Sequence, residues 1–195
     1  MYYQMPSRVR AGLGVAGSLL CLHAVAATST FDSGAEGWQL GDFYGDYGTP
    51  YSSPTAVTYH GSGGNPGGYI SGLDPSLNSF FFMAPPKFLG NQSGAYGTIF
   101  TFDLKVDLTA DWEEGVDLVL VGSGLTLTRE VGINPDGTWR GFGVPLTEAG
   151  WRIDNPSGAA PSQAQFQSVL GSLTGLHVIG ALYDHLCETA GTLHA

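Results

Sequence analysis

The stretch FFFMAPPKFLGNQSGAYGTIFTFDLKVDL, residues 80–108, decides the fold of this chain. In its second half every other residue is apolar and the residues between are polar. The apolar positions are Phe100, Phe102, Leu104, Val106 and Leu108, and the polar ones are Thr101, Asp103, Lys105 and Asp107. A period of two predicts a strand with one buried and one wet face, which is typical of an antiparallel sheet backed by a second layer.

Short strands separated by glycine-rich turns dominate the rest of the chain. A Gly-Ser-Gly connector predicts a hairpin between residues 116–121 and 125–130. One helix is predicted where Ser162 and Gln165 form a capping box and apolar residues follow at helical spacing. A strand over 176–183 comes next. The pattern predicts an all-β fold, a jelly-roll-like two-sheet β-sandwich with one short helix before the C-terminal strand.

The first residues are typical of a secretory signal peptide, predicted to span 1–27. Arg8 and Arg10 precede an apolar run over 11–25, and the Ala-Val-Ala sequence that begins at Ala24 provides a cleavage site. The run is too short for a stable membrane span. The protein is therefore predicted to be exported, to the extracellular space or the periplasm.

The exported chain is predicted to hold a single domain over 28–183, followed by an atypical tail over 184–195. No later segment is long and apolar enough to cross a bilayer, so no membrane span is expected in the mature chain. Of the two cysteines, Cys21 lies in the predicted signal peptide and Cys187 lies in the tail. An internal disulfide is thereby excluded, and the fold must depend on its hydrophobic core.

The net charge of the chain limits the kinds of molecule that can bind to it. The sequence has 7 Lys+Arg and 17 Asp+Glu, and removing Arg8 and Arg10 leaves 5 against 17, a net charge of −12. Such a charge repels phosphate backbones and anionic lipid, so nucleic acid is not expected to bind. Neutral glycans, cationic partners and Ca²⁺ are compatible with it. The alternative explanation is that acidity keeps an exported domain soluble.

Three motifs carry a family resemblance. They are APPKFLGNQSGAYGT (84–98), DLVLVGSGLTL (117–127) and TWRGFGVPLTEAGW (138–151). Together they resemble the laminin B domain (laminin domain IV type A) over about residues 31–183. Asn91 stands where the family commonly has Asp, and Thr98 where it commonly has a second Gly. The resemblance implies a secreted, non-catalytic β-sandwich that acts in the extracellular matrix or in cell adhesion, either as a binding module or as a spacer. It does not identify a ligand.

The C-terminus departs from the family pattern. Such domains finish with a strand containing a Leu-Asp-Asn-Val-like motif, whereas this chain ends ALYDHLCETAGTLHA without alternation. We therefore expect a truncated or frame-shifted end. A sandwich that lacks its last strand leaves a neighbouring row of N–H and C=O groups exposed.

A structural Ca²⁺ is the first site that the sequence suggests. Jelly-roll carbohydrate-binding modules, which such domains resemble, often hold Ca²⁺ between their first and last strands. Asp32 and Glu36 lie in the right part of the chain, whereas the last-strand Asp that would complete the site is absent. Asp74 follows a glycine-rich turn. Calcium takes six to eight oxygen ligands, from carboxylates and carbonyls. The alternative is that these are ordinary solvated acids at turns.

A group of aromatic residues is the second candidate. The glycine-rich segment 41–54 contains Tyr44, Tyr47 and Tyr51, a composition that suits stacking against sugar rings because a tyrosine joins an apolar face to a polar end. The sequence therefore predicts a ligand-binding loop here. The four tryptophans are predicted to pack in or around the core: Trp38, Trp112, Trp139 and Trp151.

Catalysis is not expected. A glycosidase needs two carboxyl groups facing each other across the sugar, and adjacent residues such as Glu113 and Glu114 point opposite ways on an extended chain. His60 is isolated at a strand end, and His177 is expected on a strand face. No G-x-S-x-G, H-E-x-x-H or phosphate-loop motif occurs in the mature sequence.

Three hypotheses about the function follow, and they are given in decreasing order of support from the sequence. The first is a secreted non-catalytic module that binds carbohydrate or matrix protein, and the second is a structural spacer without a small ligand. The third is a weak glycan-active enzyme. Binding to a polysaccharide panel separates the first two, and release of product from that panel would identify the third.

Overall fold

A computed structural model describes residues 2–6, 9–11, 27–73, 78–106, 115–133 and 137–181. This part contains one α-helix, α1, which spans Gln163–Gly171, and two short 3-10 helices, Pro86–Phe88 and Ser93–Ala95. The strands in chain order are β1 Tyr2–Pro6, β2 Val9–Ala11, β3 Thr28–Ser29, β4 Gln39–Phe43, β5 Thr55–Ala56, β6 Thr58–His60, β7 Tyr69–Leu73, β8 Ser79–Met83, β9 Ile99–Val106, β10 Leu118–Gly122, β11 Leu125–Arg129, β12 Arg140–Pro145, β13 Trp151–Ile153 and β14 Leu173–Ala181.

The strands form two antiparallel sheets. The first has the order β3-β2-β9-β1-β7-β6, with β12 also paired to β9. The second has the order β13-β11-β10-β14-β8-β4-β5. Helix α1 directly precedes β14. The predicted all-β, two-sheet sandwich with one short helix before the last described strand is therefore confirmed.

The alternating strand β9 behaves as its sequence predicts. Phe100, Phe102 and Leu104 are buried, whereas the residues between them remain partly exposed. Because successive side chains of a strand point to opposite faces, the three buried residues form the inner face of the first sheet.

The second sheet is buried on both faces. Phe80, Phe81 and Phe82 are consecutive in β8, and all three are fully buried. Phe80 reaches the first sheet, where a Cβ at Gly72 would come within 3.2 Å of its ring. Phe81 therefore points to the opposite side, and something other than the first sheet must cover it. The segment that covers Phe81 contains the candidate functional site.

Helix α1 closes one end of the sandwich. Ser162 caps it through the predicted capping box, which is confirmed: the Ser162 hydroxyl accepts from the Gln165 N–H, and the Gln165 side chain accepts from the Ser162 N–H. The buried face of the helix consists of Phe166, Val169 and Leu170. The apolar spacing in the sequence thus identifies the packed side of the helix.

The motifs that carry the family resemblance meet near this helix. Tyr96 donates from its hydroxyl to Glu148, at 2.7 Å, so the first and third motifs are joined across 52 positions of sequence. The Tyr96 ring and the Trp151 ring both contact Phe166, with centroids 6.3 and 5.5 Å away. These motif residues hold the fold together.

Several sequence predictions fall outside the described residues: Asp74, Trp112, Glu113, Glu114, Cys187, the apolar run of the signal peptide beyond Ala11 and the whole tail over 184–195. The signal peptide over 1–27 and the domain boundary at 183 stay predictions. Among the described residues, no helix is long and apolar enough to span a membrane.

Candidate functional site: an exposed tyrosine pair

The cover over Phe81 is the tyrosine loop, residues 44–54, which connects β4 to β5. Two short bonds shape it: the Asp46 carboxylate accepts from the Gly48 N–H at 2.7 Å, and the Tyr51 N–H donates to the Asp42 carbonyl at 2.6 Å. Gly45 has a φ of 72°, which a glycine adopts without strain. The loop therefore returns to the end of β4 and lies against the outer face of the second sheet.

Tyr44 and Tyr51 form an exposed aromatic pair on this loop. Their exposed fractions are 72% and 71%, and their ring centroids lie 6.2 Å apart in an edge-to-face arrangement. The two rings are tilted 66° to each other, and each exposes apolar ring surface beside a hydroxyl group. The structure thus brings together two of the three tyrosines that the sequence predicts for ligand binding.

Tyr47, the third predicted tyrosine, has a different position. Its ring packs edge-on against Phe81 with centroids 6.0 Å apart, and it is half-buried. Burial, together with the nearby Glu130 carboxylate, raises the pKa of the Tyr47 hydroxyl. Tyr47 therefore fastens the loop to the sheet, while Tyr44 and Tyr51 remain exposed.

His177 lies beneath the loop on β14. It is buried, its ring centroid is 4.9 Å from that of Phe43, and its Nδ1 has no hydrogen-bond partner in the described structure. Burial lowers the pKa of His177 to about 4, and a main-chain hydrogen bond with Tyr47 offsets only part of that effect. The imidazole is therefore neutral at pH 7, and it is part of the buried surface on which the tyrosine loop packs.

The two predicted calcium ligands lie apart from the tyrosine loop. Asp32 is exposed, whereas Glu36 accepts from the Thr30 N–H at 3.0 Å and the Phe31 N–H at 2.6 Å and forms an ion pair with Lys87. Burial raises the pKa of Glu36, but the Lys87 bond and the two N–H donors outweigh it and the net pKa is lowered. Glu36 is thus already neutralised by a cation of the chain itself.

Calcium binding at Asp32 and Glu36 stays a prediction. Within the described residues, no three His, Cys, Asp or Glu side chains group closely enough to hold a metal. Thermal unfolding of EDTA-treated protein with and without added Ca²⁺ tests it, because a ligand that binds only the folded state raises Tm. Any rise that calcium produces through this site should disappear in Glu36→Gln, and a rise that persists would place the ion elsewhere.

A second aromatic cluster lies on the outer face of the first sheet, and sequence reasoning missed it. His60 stacks on Tyr69 at 4.2 Å and bonds Ser71, while Tyr69 meets the Trp139 ring at 5.5 Å. Lys105 Nζ lies 6.0 Å from the Trp139 ring centroid. The prediction of an isolated His60 is wrong, and Trp139, predicted to lie in or around the core, is not among the buried core residues. A hairpin alignment of β6 with β7 would have paired His60 with Tyr69, since the two are in register.

Among the residues that the structure describes, the space between the sheets has no room for a sugar ligand. A cavity of about 30 Å³ lies there, lined by the apolar side chains of residues such as Phe88, Leu120 and Leu176. That volume corresponds to about one water molecule. A sugar ring does not fit, so a ligand of that size has to bind on the surface.

The sequence profile of the laminin B (domain IV) family matches residues 81–193. The chain belongs to the laminin B (domain IV) family. Laminin subunit gamma-1 of Xenopus tropicalis is 30% identical over 158 residues, which cover 78% of this chain and 9% of that protein. Laminin subunit gamma-2 of Homo sapiens is 29% identical over 154 residues, covering 77% and 12%.

Among solved structures, the L4b domain of human laminin alpha-2 is similar with a TM-score of 0.48 and 17% identity. The match covers 55% of this chain and 62% of that one. The match to the two laminin subunits covers about a tenth of the length of each subunit.

Proposed function

We propose that this protein is an extracellular, non-catalytic laminin B module that binds neutral carbohydrate through Tyr44 and Tyr51. One observation carries the proposal: two tyrosine rings, each more than two-thirds exposed, are held 6.2 Å apart on a loop fastened to the sheet. An ordered pair loses little conformational entropy when a ligand stacks on it, which favours binding.

The charge of the molecule supports a neutral ligand. The predicted mature chain has a net charge of −12, from 5 basic and 17 acidic residues. An anionic glycan would be repelled, whereas a neutral sugar presents hydroxyl groups and an apolar ring face without electrostatic cost. Family membership and the predicted signal peptide support a location outside the cell.

Replacing both tyrosines, in Tyr44→Ala/Tyr51→Ala, should weaken glycan binding about 30-fold. Each stacking contact contributes about 1 kcal/mol, so loss of both costs about 2 kcal/mol. The measurement is the Kd of the purified protein for the best ligand of a neutral polysaccharide panel. Tyr59→Ala is the matched control, because Tyr59 is a 36%-exposed tyrosine on β6, away from the tyrosine loop. Equal affinity of the double variant and the wild type would remove the loop from consideration.

A structural spacer is the second candidate function. It is compatible with the small cavity between the sheets, which leaves no room for a sugar ring among the described residues. A spacer predicts no binding across the whole panel, so the same measurement separates the two.

A further inference from the structure

Strands β7 and β9 do not pair with each other along their facing edges, because β1 lies between them. Residues Tyr2–Pro6 run antiparallel to β7 in the register Tyr2↔Leu73 to Pro6↔Tyr69. They also run antiparallel to β9, with Gln4 opposite Lys105. Gln4 therefore has a strand neighbour on both sides, and we call the gap that β1 fills the strand slot.

The walls of the strand slot are tied together without β1. Trp139, next to β12 on the β9 side, donates from its indole N–H to the Gly63 carbonyl at 2.9 Å. Its ring also contacts Tyr69 of β7, at 5.5 Å between centroids. Ile70 and Leu104 are both fully buried in the common core. If β1 left, the walls would stay about 10 Å apart, twice the spacing of paired strands.

We propose that the strand slot is a docking site for an extended segment of a partner polypeptide, and that residues 2–6 fill it in this chain. Such a segment would add a strand through main-chain bonds on both sides, as in β-augmentation. The predicted signal-peptide cleavage removes the residues that fill the slot. Two rows of N–H and C=O groups would then lack partners, and an incoming strand satisfies them.

The slot also defines the chemistry of the segment. Two wall positions that belong to the core are Ile70 and Gly72, and the residues in register with them are Met5 and Tyr3. Between these, Gln4 is in register with Ser71. The partner segment therefore alternates apolar and polar residues, and it lacks proline at the position of Gln4, because proline there would remove a main-chain N–H from a strand that is paired on both sides.

Charge makes a basic segment the better partner. The predicted mature chain carries a net −12, and the residues that follow β1 include Arg8 and Arg10. Strand pairing supplies most of the affinity, and complementary charge raises the association rate. The occupant is thus an alternating, neutral-to-basic polypeptide.

The test uses the full chain with a site-specific protease sequence placed within residues 12–26, cut after folding. We expect the N-terminal fragment to remain bound and to be displaced by excess labelled peptide of residues 2–11, followed by fluorescence anisotropy. Uncut protein should not take up the peptide. A peptide with Gln4→Pro should bind at least about tenfold more weakly, because it loses a donor and cannot pair normally.

Three results would overturn the proposal. The fragment could leave on cutting with no change in the unfolding curve, or the two peptides could bind equally. Uptake only after removal of residues 182–195 would assign the slot to the chain's own C-terminal segment. The Tyr44→Ala/Tyr51→Ala variant should exchange peptide normally, so failure of this proposal and failure of the proposed glycan function are distinguishable.

Discussion

Replacing Asp117 by alanine is expected to lower the free energy of unfolding by about 3 kcal/mol. Asp117 is buried, and its Oδ2 accepts from the N–H groups of Val131 and Gly132 at 2.5 and 3.0 Å, with Ile133 at 3.5 Å. Alanine would remove the acceptor of the part-buried Val131 and Gly132 N–H groups, and each such lost bond costs about 1–3 kcal/mol. Urea unfolding at pH 7 measures the difference.

Asp117→Asn is the matched control for this prediction. Asparagine keeps one acceptor oxygen at nearly the same place and replaces the other, charged carboxylate oxygen by an NH2 group, so it should cost clearly less than alanine. If the two variants were equally destabilised, the main-chain bonds would not be the reason for the effect.

Replacing His177 by leucine should change how stability depends on pH. Burial holds the pKa of His177 at about 4, below its ordinary value of 6.5. The stability contributed by the neutral ring is therefore present above pH 6.5 and is lost as pH falls toward 4. The loss is about 3 kcal/mol. Leucine fills similar space without titrating, so the variant should gain this amount relative to the wild type between pH 7 and pH 4.

Asp117 opposes this effect in the wild type. Burial raises its pKa to about 6, against an ordinary 3.8. A raised pKa contributes stability that is present below pH 3.8 and lost as pH rises through 6. Between pH 4 and 6 the contributions of these two groups nearly cancel in the wild type, so the stability of His177→Leu relative to the wild type should rise as pH falls. Parallel curves for the two proteins would show that His177 is not kept neutral by the fold.

Local patterns in the sequence predicted much of the fold. Alternation in β9 and the capping box at Ser162 each depend on neighbours within a few residues, and both are confirmed. The Gly-Ser-Gly hairpin is confirmed as well, with Ser123 and Gly124 both at positive φ. Short-range chemistry fixed these elements, so one sequence was enough to identify them.

The candidate site was only partly predictable, because it depends on packing between distant segments. Composition identified the tyrosine loop, but it did not separate Tyr47, which packs on Phe81, from the exposed Tyr44 and Tyr51. That distinction requires knowing that the loop covers the outer face of the second sheet. The cluster around Trp139 likewise joins β7, β9 and the start of β12, which no local pattern brings together.

The way in which the tyrosine loop is fastened has a mechanical consequence. The Tyr51 N–H bonds to the end of β4, and Tyr47 packs on β8 in the middle of the second sheet. A force applied to a polymer held by Tyr44 and Tyr51 would therefore pass directly into two adjacent hydrogen-bonded strands. The tyrosine loop and the β-sandwich would therefore resist tension together, and the loop would not extend before the strands separate.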